Sequence, residues 1–314
     1  MYKFSTSSSG ITHSGSICCR RGPRAFLNTC VFHIPHQVSK PIDEGVKDRS
    51  AGIGMWRSSN MQELTIQSCN SLSNLPQSMG HHTSLQKLRI QECPALYQLP
   101  ECLGELSSLR TLHVGGLPNI KGLPQSLQHL TYLQHLSIDR CDALSELPEW
   151  LGDLRSLQKL GIAELPRLAC LPKSMCRLTS LKKLWIVNCP SLTSLPQGMH
   201  SLASLEKLEV SWCSGIKSLP EGIEGLTVLK ELDICSGVES LPEGIRGLTS
   251  LQTLRICDCS GIKSLPKGIK GLTALKQLSI HGCSDLARSC KRGKGADWHL
   301  ISHIPHLEIS LEHS

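Results

Sequence analysis

The sequence lacks several features that mark common classes of protein. It contains no run of 18 or more apolar residues, and residues 1–19 hold no apolar stretch that could act as a secretory signal, so we expect neither membrane insertion nor export. No asparagine begins an Asn-x-Ser/Thr glycosylation acceptor. A Gly-x-x-x-x-Gly-Lys-Ser/Thr phosphate loop, a nucleophile elbow and a His-Glu-x-x-His motif are also missing, so the sequence offers no catalytic, cofactor-binding or substrate-binding residue.

Positive charge is scarce where a nucleic-acid surface would need it. The net charge is +7, but residues 1–60 carry eight Lys/Arg against three Asp/Glu, whereas residues 61–283 carry 21 against 19. A nucleic-acid groove requires Lys and Arg gathered on one face. The nearly neutral middle of the chain therefore argues against a nucleic-acid partner.

The sequence is rich in one repeated unit. Its sixth copy reads Leu181-x-x-Leu184-x-Ile186-x-x-Cys189-x-x-Leu192-x-x-Leu195-Pro196. The ten copies begin at Met61, Leu85, Leu109, Leu133, Leu157, Leu181, Leu205, Leu229, Leu251 and Leu275. Only the step between the eighth and ninth copies is shorter than the others, by two positions. A pattern of this kind, with a period of about 24 residues, is a leucine-rich repeat.

The repeat predicts the fold. Leu184 and Ile186, like their equivalents, alternate with outward positions, which is the period of a strand with one buried face. Ten such strands predict an α/β fold, namely a leucine-rich-repeat solenoid shaped as a curved horseshoe, with a parallel concave β-sheet and short helical or irregular convex segments. Because a solenoid grows by stacking coils, we expect one elongated domain over residues 61–283.

The cysteines follow the repeat. Seven of the 16 occupy the ninth position of a copy, where Leu117 and Leu165 stand in two other copies. One thiol per coil does not make a tetrahedral metal site. Neighbouring coils lie about 4.8 Å apart with nearly parallel Cβ vectors, which is not the converging geometry of a disulfide. We therefore expect buried, structural, free thiols and a reducing intracellular compartment.

A Leu-Pro step follows the strand segment in the first nine copies and predicts the convex side. Proline fixes φ and lacks an amide hydrogen, and apolar residues then recur at spacings of three, so one or two turns of α- or 3₁₀-helix are expected. The acids Glu221, Glu224 and Glu243 in this segment are predicted to form a solvated face.

The segment before the first copy, residues 1–60, carries no repeat. Its serine-rich, acid-poor start predicts a disordered or irregular segment, with an organelle transit peptide as the alternative. No polar cap is recognisable before Met61. We therefore expect the chain to be part of a longer protein, or to have a partner at that end.

Residues 284–314 predict a C-terminal cap with a closing strand. We expect Asp297 to cap a short helical turn, with Trp298 and Ile301 covering the last coil. The strand pattern returns in residues 304–309. His299, His303 and His306 could also bind zinc with Cys283 and Cys290, but no Cys-x-x-Cys is present, so we expect no metal.

The ending carries a specific resemblance. It reads Cys290-Lys291-Arg292-Gly293-Lys294-Gly295-Ala296-Asp297-Trp298-His299-Leu300-Ile301-Ser302-His303-Ile304-Pro305-His306. With the cysteine-bearing repeat, residues 61–314 resemble the C-terminal region of plant intracellular nucleotide-binding, leucine-rich-repeat disease-resistance proteins of the coiled-coil class. The resemblance implies a cytosolic immune receptor whose repeats recognise a pathogen effector or guarded host protein and hold the nucleotide-binding switch inactive. Without a phosphate loop, this chain has no place for ATP or ADP.

The outward strand positions are the candidate binding residues, because no core requires their side chains. The middle row contains Arg89, His113, Ser137, Gly161, Trp185, Glu209, Asp233, Arg255 and Ser279. Trp185 is either a partner contact or an aromatic resting on its neighbours. The predicted protein-binding set is Arg89, His113, Arg140, Lys183, Trp185, Lys207, Glu209, Trp212, Asp233 and Arg255, centred on coils six to eight.

We therefore predict a cytoplasmic protein-recognition module of plant innate immunity that is not an enzyme. Its partner would be an effector, a host protein or a nucleotide-binding switch domain, with no cofactor, membrane, nucleic acid or small-molecule substrate. The alternative is a free-standing intracellular signalling scaffold similar to the Ras-group leucine-rich-repeat proteins. An extracellular receptor-kinase ectodomain is disfavoured, because such arrays show Ile-Pro returns, asparagine columns and glycosylation acceptors.

Overall fold

We analysed the chain in a computed structural model. The structure describes residues 61–310 in full and the backbone of two short strands earlier in the chain, Gly15–Cys18 and Val31–His33. The remaining predictions for residues 1–60, and the last four residues of the cap, lie outside the described residues. Within the described residues, no helix is long and apolar enough to cross a membrane.

The described strands form a single sheet. In chain order they are β1 Gly15–Cys18, β2 Val31–His33, β3 Glu63–Gln67, β4 Lys87–Gln91, β5 Thr111–Gly115, β6 His135–Asp139, β7 Lys159–Ala163, β8 Lys183–Val187, β9 Lys207–Ser211, β10 Glu231–Cys235, β11 Thr253–Cys257, β12 Gln277–His281 and β13 His306–Ser310. From β3 to β13 each strand lies beside the next and parallel to it. This is the predicted leucine-rich-repeat solenoid, with the strand of every repeat in one sheet.

Two strands extend the sheet beyond the first repeat. β1 pairs in parallel with β3, and β2 pairs antiparallel with β1. Nothing in the sequence indicated these strands, because residues 1–60 lack the repeat pattern that identified the others.

The strands stack in register with the repeat. Leu184 faces Leu160 and Leu208 across the ladder, and Ile186 faces Ile162 in the same way. These inward side chains have no measurable exposure. Burying one such side chain contributes about 1.5–3 kcal/mol, so the continuous apolar column is the main source of stability.

The shorter repeat keeps this register. Glu231 of β10 still pairs with Thr253 of β11, although the coil between them is two positions shorter than the others. The two missing positions lie after β10, in a turn where Gly237 adopts a φ of 106°. Val238 alone supplies the buried side chain of this shortened turn. A shorter turn therefore accommodates the deletion without shifting the sheet.

A left-handed turn follows each of the strands β3 to β12. The residue after the strand has a positive φ in Ser68, Asn188 and Trp212, for example, and its amide donates to the strand of the next coil. The ninth-position cysteine comes next, is buried, and its thiol donates to the carbonyl two residues earlier, as Cys93 does to Gln91 at 3.3 Å. Cysteine thus fills a tight column and bonds the backbone of the turn.

The convex side consists of short 3₁₀-helices that follow the Leu-Pro step. Their bounds are Gln77–His81, Glu101–Glu105, Gln125–His129, Glu149–Asp153, Lys173–Arg177, Gln197–Ser201, Ile223–Gly225, Glu243–Gly247 and Lys267–Gly271. Proline occupies the N-cap position of all but the Ile223–Gly225 helix, where Gly222 is left-handed with a φ of 88°. At least one apolar residue of each helix, such as Met199, is buried in the core.

Some acidic side chains on the convex side accept hydrogen bonds from the next coil. Glu149 accepts hydrogen bonds from the backbone amides of Lys173 at 3.1 Å and Ser174 at 2.9 Å in the next coil. Glu243 does the same for Lys267 and Gly268. Glu221, Glu224 and Glu243 are all exposed, as predicted for a solvated face, and Glu243 also bonds the next coil. The reason for these bonds is tertiary, since the stacking of the coils places Glu149 and Glu243 over the free amides of the next 3₁₀-helix.

The C-terminal cap contains two short helices, α1 Ser284–Ser289 and α2 Trp298–Ile301, followed by β13. Ile301 is buried and Trp298 packs against the core, as predicted. Asp297 stands at the start of α2, but its carboxylate makes no capping bond there. It accepts instead from the Leu265 amide at 2.8 Å and the Ser289 hydroxyl at 2.7 Å, so the capping prediction is wrong and Asp297 ties the cap to the ninth coil.

Candidate functional site

The concave sheet presents three rows of outward side chains, one from the first, middle and last position of each strand. Strand registers align these rows, so that Lys183, Trp185 and Val187 of β8 each meet the equivalent residues of β7 and β9. Side chains in one row are therefore neighbours along the solenoid, about 4.8 Å apart.

An apolar patch lies on coils five to seven. The name apolar patch refers below to five residues: Gly161, Ala163, Trp185, Val187 and Trp212. Gly161 is the register partner of Trp185, so the indole has no side chain opposite it on that side, and Ala163 is the partner of Val187. Trp185 is partly buried, whereas Trp212 is 47% exposed in the left-handed turn after β9. Exposed aromatic surface of this kind is typical of interface anchors.

A row of lysines borders this patch. Lys159, Lys183 and Lys207 are register partners in the first outward row. Lys207 is neutralised by Glu231 at 3.0 Å and Asp233 at 3.2 Å, but no ion-pair partner among the described residues lies beside Lys159 or Lys183. Like charges facing each other across strands are destabilising, so the lysine row is a source of electrostatic repulsion in the sheet.

An ion-pair network borders the patch on its C-terminal side. The carboxylate of Asp233, which is only 8% exposed, lies between the ammonium of Lys207 and the guanidinium of Arg255, the latter at 3.0 Å. Glu209 is the register partner of Asp233. Burial, and then the negative charge of Asp233, raise the pKa of Glu209, while Lys207 opposes the rise.

A second charged group lies on coils two to four. Asp139 is 3.4 Å from the His113 imidazole and 3.0 Å from the Arg140 guanidinium, which also approaches Glu92 at 3.8 Å. Burial lowers the pKa of His113 more than the neighbouring Asp139 raises it, and Arg89 and Arg140 lower it further. His113 is therefore harder to protonate than a free imidazole, and Asp139 is the acid that both His113 and Arg140 approach.

The structure brings together most of the predicted protein-binding residues, but several of them interact with one another and are not free surface groups. Lys207, Glu209, Asp233 and Arg255 form one network, so they neutralise one another before any partner arrives. The prediction that the structure does not need the side chains of the middle row is wrong for Asp233 and Ser279. Ser279 is 2% exposed, and its hydroxyl donates a hydrogen bond to Glu308. Lys183, Trp185 and Trp212 keep their surfaces available.

Arg89 lies in the middle row beside His113, away from the apolar patch. Arg140 lies in the left-handed turn after β6 and belongs to the His113 group. These three predicted residues therefore form a separate surface from that of coils five to seven.

Sequence reasoning missed six residues of these surfaces. Five of them stand in the first and last outward rows, which the prediction did not follow systematically: Lys159, Glu231, Asp139, Ala163 and Val187. The sixth, Glu92, lies in the turn after β4. The same repeat spacing that identified the middle row would have placed the five row residues, because the rows differ only by two positions along the strand.

No candidate metal centre emerges from residues 61–310, which contain no group of three or more His, Cys, Asp or Glu side chains placed to hold an ion. His299 in the cap lies 2.8 Å from the carbonyl of Ala296 through its Nδ1. The histidines and cysteines considered for zinc are not assembled into a site in this part of the chain.

Comparisons with known proteins agree with this architecture. Residues 97–237 match the family described as plant disease resistance protein RPS2-like, leucine-rich repeats. The leucine-rich repeat domain of the type III effector XCV3220 (XopL) is 31% identical, with 68% of this chain and 74% of that chain covered and a TM-score of 0.63. No curated protein sequence matched the chain.

Two more distant structures share the fold alone. The Leptospira interrogans LRR protein LIC12759 is 22% identical, with 86% of this chain and 65% of that chain covered and a TM-score of 0.64. The TLR13–ssRNA13 complex contains a chain that is 21% identical, with 79% and 35% covered and a TM-score of 0.58.

Proposed function

The chain belongs to the leucine-rich-repeat family, and we propose that it is a protein-recognition module of plant innate immunity. Repeat domains of this fold are protein-interaction scaffolds. The observation that carries the immune assignment is the match of residues 97–237 to the plant disease-resistance repeats. That stretch contains the whole apolar patch and the lysine row.

We propose that the partner binds across coils five to seven of the concave face. The apolar patch offers an aromatic anchor in Trp185 and a second in Trp212, and Lys183 lies next to Trp185 on the same strand without an ion-pair partner among the described residues. Anchors of this kind surrounded by charged residues are the usual composition of a recognition surface. The partner is accordingly an effector, a guarded host protein or a nucleotide-binding switch domain that presents apolar and acidic side chains.

The charged networks on either side have a different role. Lys207, Asp233 and Arg255 hold one another in place, so they shape the edge of the site and discriminate against partners with misplaced charges. The proposed location is the cytoplasm, where a repeat domain with free thiols is stable in reducing conditions.

The test is a comparison of proteins retained from infected and uninfected leaf extracts by the full chain and by two variants. Trp185→Ala removes the anchor, and Lys183→Glu reverses the charge at a lysine that makes no ion pair among the described residues. Both leave the inward column of the sheet unchanged, so we expect normal folding by circular dichroism. Loss of a buried aromatic anchor typically weakens binding by about 2 kcal/mol or more, which is about 30-fold.

The matched control is Tyr132→Ala, since Tyr132 is an aromatic residue that is 66% exposed in the turn before β6, outside the concave rows. The proposal expects an effector or a resistance-protein switch domain to be lost with both concave variants and retained with the control. Identical retention by all three variants would reject the concave site. Specific loss of kinases or small GTPases alone would instead support the signalling scaffold.

A further inference from the structure

Two cysteines stand side by side on the exposed surface of the sheet. Cys235 ends β10 and Cys257 ends β11, and they are direct register partners in the last outward row. Both are partly exposed free thiols. The two thiols interact with each other, and Ser211 of β9 approaches Cys235 from the other side. Neither cysteine belongs to the ninth-position column that the repeat explains.

A buried pair in the same part of the solenoid provides a comparison. Cys259 and Cys283 are also separated by one coil, and the amide of Cys259 donates to the Cys283 sulfur at 3.2 Å. These two side chains point into the core and are at most 1% exposed. Accessibility to a reagent therefore distinguishes the two pairs, although each joins neighbouring coils.

Sheet curvature adds a second distinction. Neighbouring Cα atoms on adjacent strands lie about 4.8 Å apart, which is within the range that a disulfide spans. On the concave side of a curved sheet the Cβ vectors of neighbouring strands converge, whereas vectors that point into the core diverge. A disulfide requires Cβ atoms about 3.8 Å apart, so closure is favoured for Cys235 and Cys257 and disfavoured for the core pair.

We propose that Cys235 and Cys257 form a peroxide-sensitive dithiol on the concave face, which closes to an inter-strand disulfide when hydrogen peroxide is the oxidant. Disulfides in reducing compartments are mostly transient and redox-sensing, and a partly exposed pair of this kind fits that class. The modification lies beside the Asp233 and Arg255 ion pair, so it alters the C-terminal edge of the proposed recognition surface.

One molecule of hydrogen peroxide oxidises the two thiols to a disulfide and is itself reduced to two molecules of water. The Cys257 thiolate attacks one peroxide oxygen, the O–O bond breaks, and the departing hydroxide takes a proton to become water, which leaves a sulfenic acid on Cys257. The Cys235 sulfur then attacks the Cys257 sulfur, the S–O bond breaks, and the Cys235 proton leaves with hydroxide as a second water. Contact between the thiols lowers the pKa of Cys257 and raises that of Cys235, which assigns the attacking role to Cys257.

The experiment treats the folded full chain with hydrogen peroxide, blocks the remaining thiols with iodoacetamide, and maps non-reduced tryptic peptides by mass spectrometry. Trypsin cuts at Arg246 and Arg255, so the disulfide joins two separate peptides. We expect loss of alkylation at both cysteines, a linked peptide pair and recovery of both thiols with dithiothreitol. Because Cys259 shares the Cys257 peptide, the Cys257→Ser variant must abolish the link.

Two further variants make the outcome decisive. Cys235→Ser should leave a sulfenic acid on Cys257 that reacts with dimedone, since the resolving thiol is gone. A background with Cys170→Ser and Cys176→Ser removes two other accessible thiols of the described chain and should keep the disulfide. Full alkylation of Cys235 and Cys257 after peroxide treatment would overturn the proposal. So would equal linkage of Cys259 and Cys283 in protein that circular dichroism shows to be folded.

Discussion

The Asp297 carboxylate gives the sharpest test of how the solenoid is closed at its C-terminal end. Its Oδ2 atom accepts from the amide of Leu265 and from the hydroxyl of Ser289, and the side chain is only 8% exposed. One carboxylate therefore connects the ninth coil, the end of α1 and the start of α2. Replacement by alanine removes both bonds and leaves a buried amide without an acceptor.

The magnitude follows from the two bonds. A hydrogen bond to a charged group contributes about 1.5–3 kcal/mol, so Asp297→Ala should destabilise docking of the cap by about 3 kcal/mol at the lower end of that range. This corresponds to about 100-fold faster exchange of the Leu265 amide hydrogen, if exchange follows undocking of the cap. Asp297→Asn keeps one oxygen acceptor without the charge and should lose about half as much.

Amide hydrogen exchange is the appropriate assay, because a repeat array can open locally without global unfolding. The control is Asp285→Ala, which removes the exposed ion pair with Arg288 in the same cap and should cost at most about 1 kcal/mol. If the Leu265 amide exchanges no faster in Asp297→Ala than in Asp285→Ala, the buried carboxylate does not hold the cap.

Three other predictions concern the coils themselves. Glu149→Gln should destabilise the chain by about 1 kcal/mol at pH 7 in urea unfolding, since the carboxylate caps the next 3₁₀-helix. The hydrogen bonds from Ser174 lower the pKa of Glu149. The stability that the Glu149 carboxylate contributes is therefore present above the ordinary pKa of 4.5 and is lost as pH falls through the lower pKa of the folded state. A stability difference between Glu149→Gln and the unchanged chain that persists well below that folded-state pKa would contradict the prediction. Leu184→Ala should cost about 3 kcal/mol through a core cavity, and an unchanged unfolding midpoint would count against the continuous column. Gly152→Ala should lower the melting temperature, because its Cβ would overlap the Ser174 carbonyl, whereas Gly122→Ala meets nothing within 4 Å and should not.

The fold was predictable from the sequence because its signal is repeated. Each copy marks two inward positions, such as Leu184 and Ile186, and the nearly constant period aligns ten copies without any knowledge of the turns. Even the shorter copy fits, because the apolar column sets the register and the loop absorbs the deletion. Strands β1 and β2 could not be found in this way, since no periodic pattern marks them.

The candidate site was only partly predictable. Trp185 and Lys183 were identified from the outward positions of one strand, and the structure leaves both available on the concave face. The ion pairs of Asp233 with Lys207 and Arg255 could not be read from the repeat spacing, because the long lysine and arginine side chains can each reach several neighbouring acids. Asp233 is buried because both of these side chains pack over its carboxylate.

The sequence alone determined which residues face the core, because alternation along a strand and a nearly fixed repeat length leave only one way to bury every leucine. Tertiary structure alone decided how the polar residues are used. Glu149 bonds the next coil, Asp297 holds the cap, and Cys235 meets Cys257, because each of these contacts joins residues from different coils or cap elements. The physical reason is that apolar burial is non-directional and can be read from a pattern, whereas hydrogen bonds and thiol pairs depend on distances that only the stacked solenoid defines.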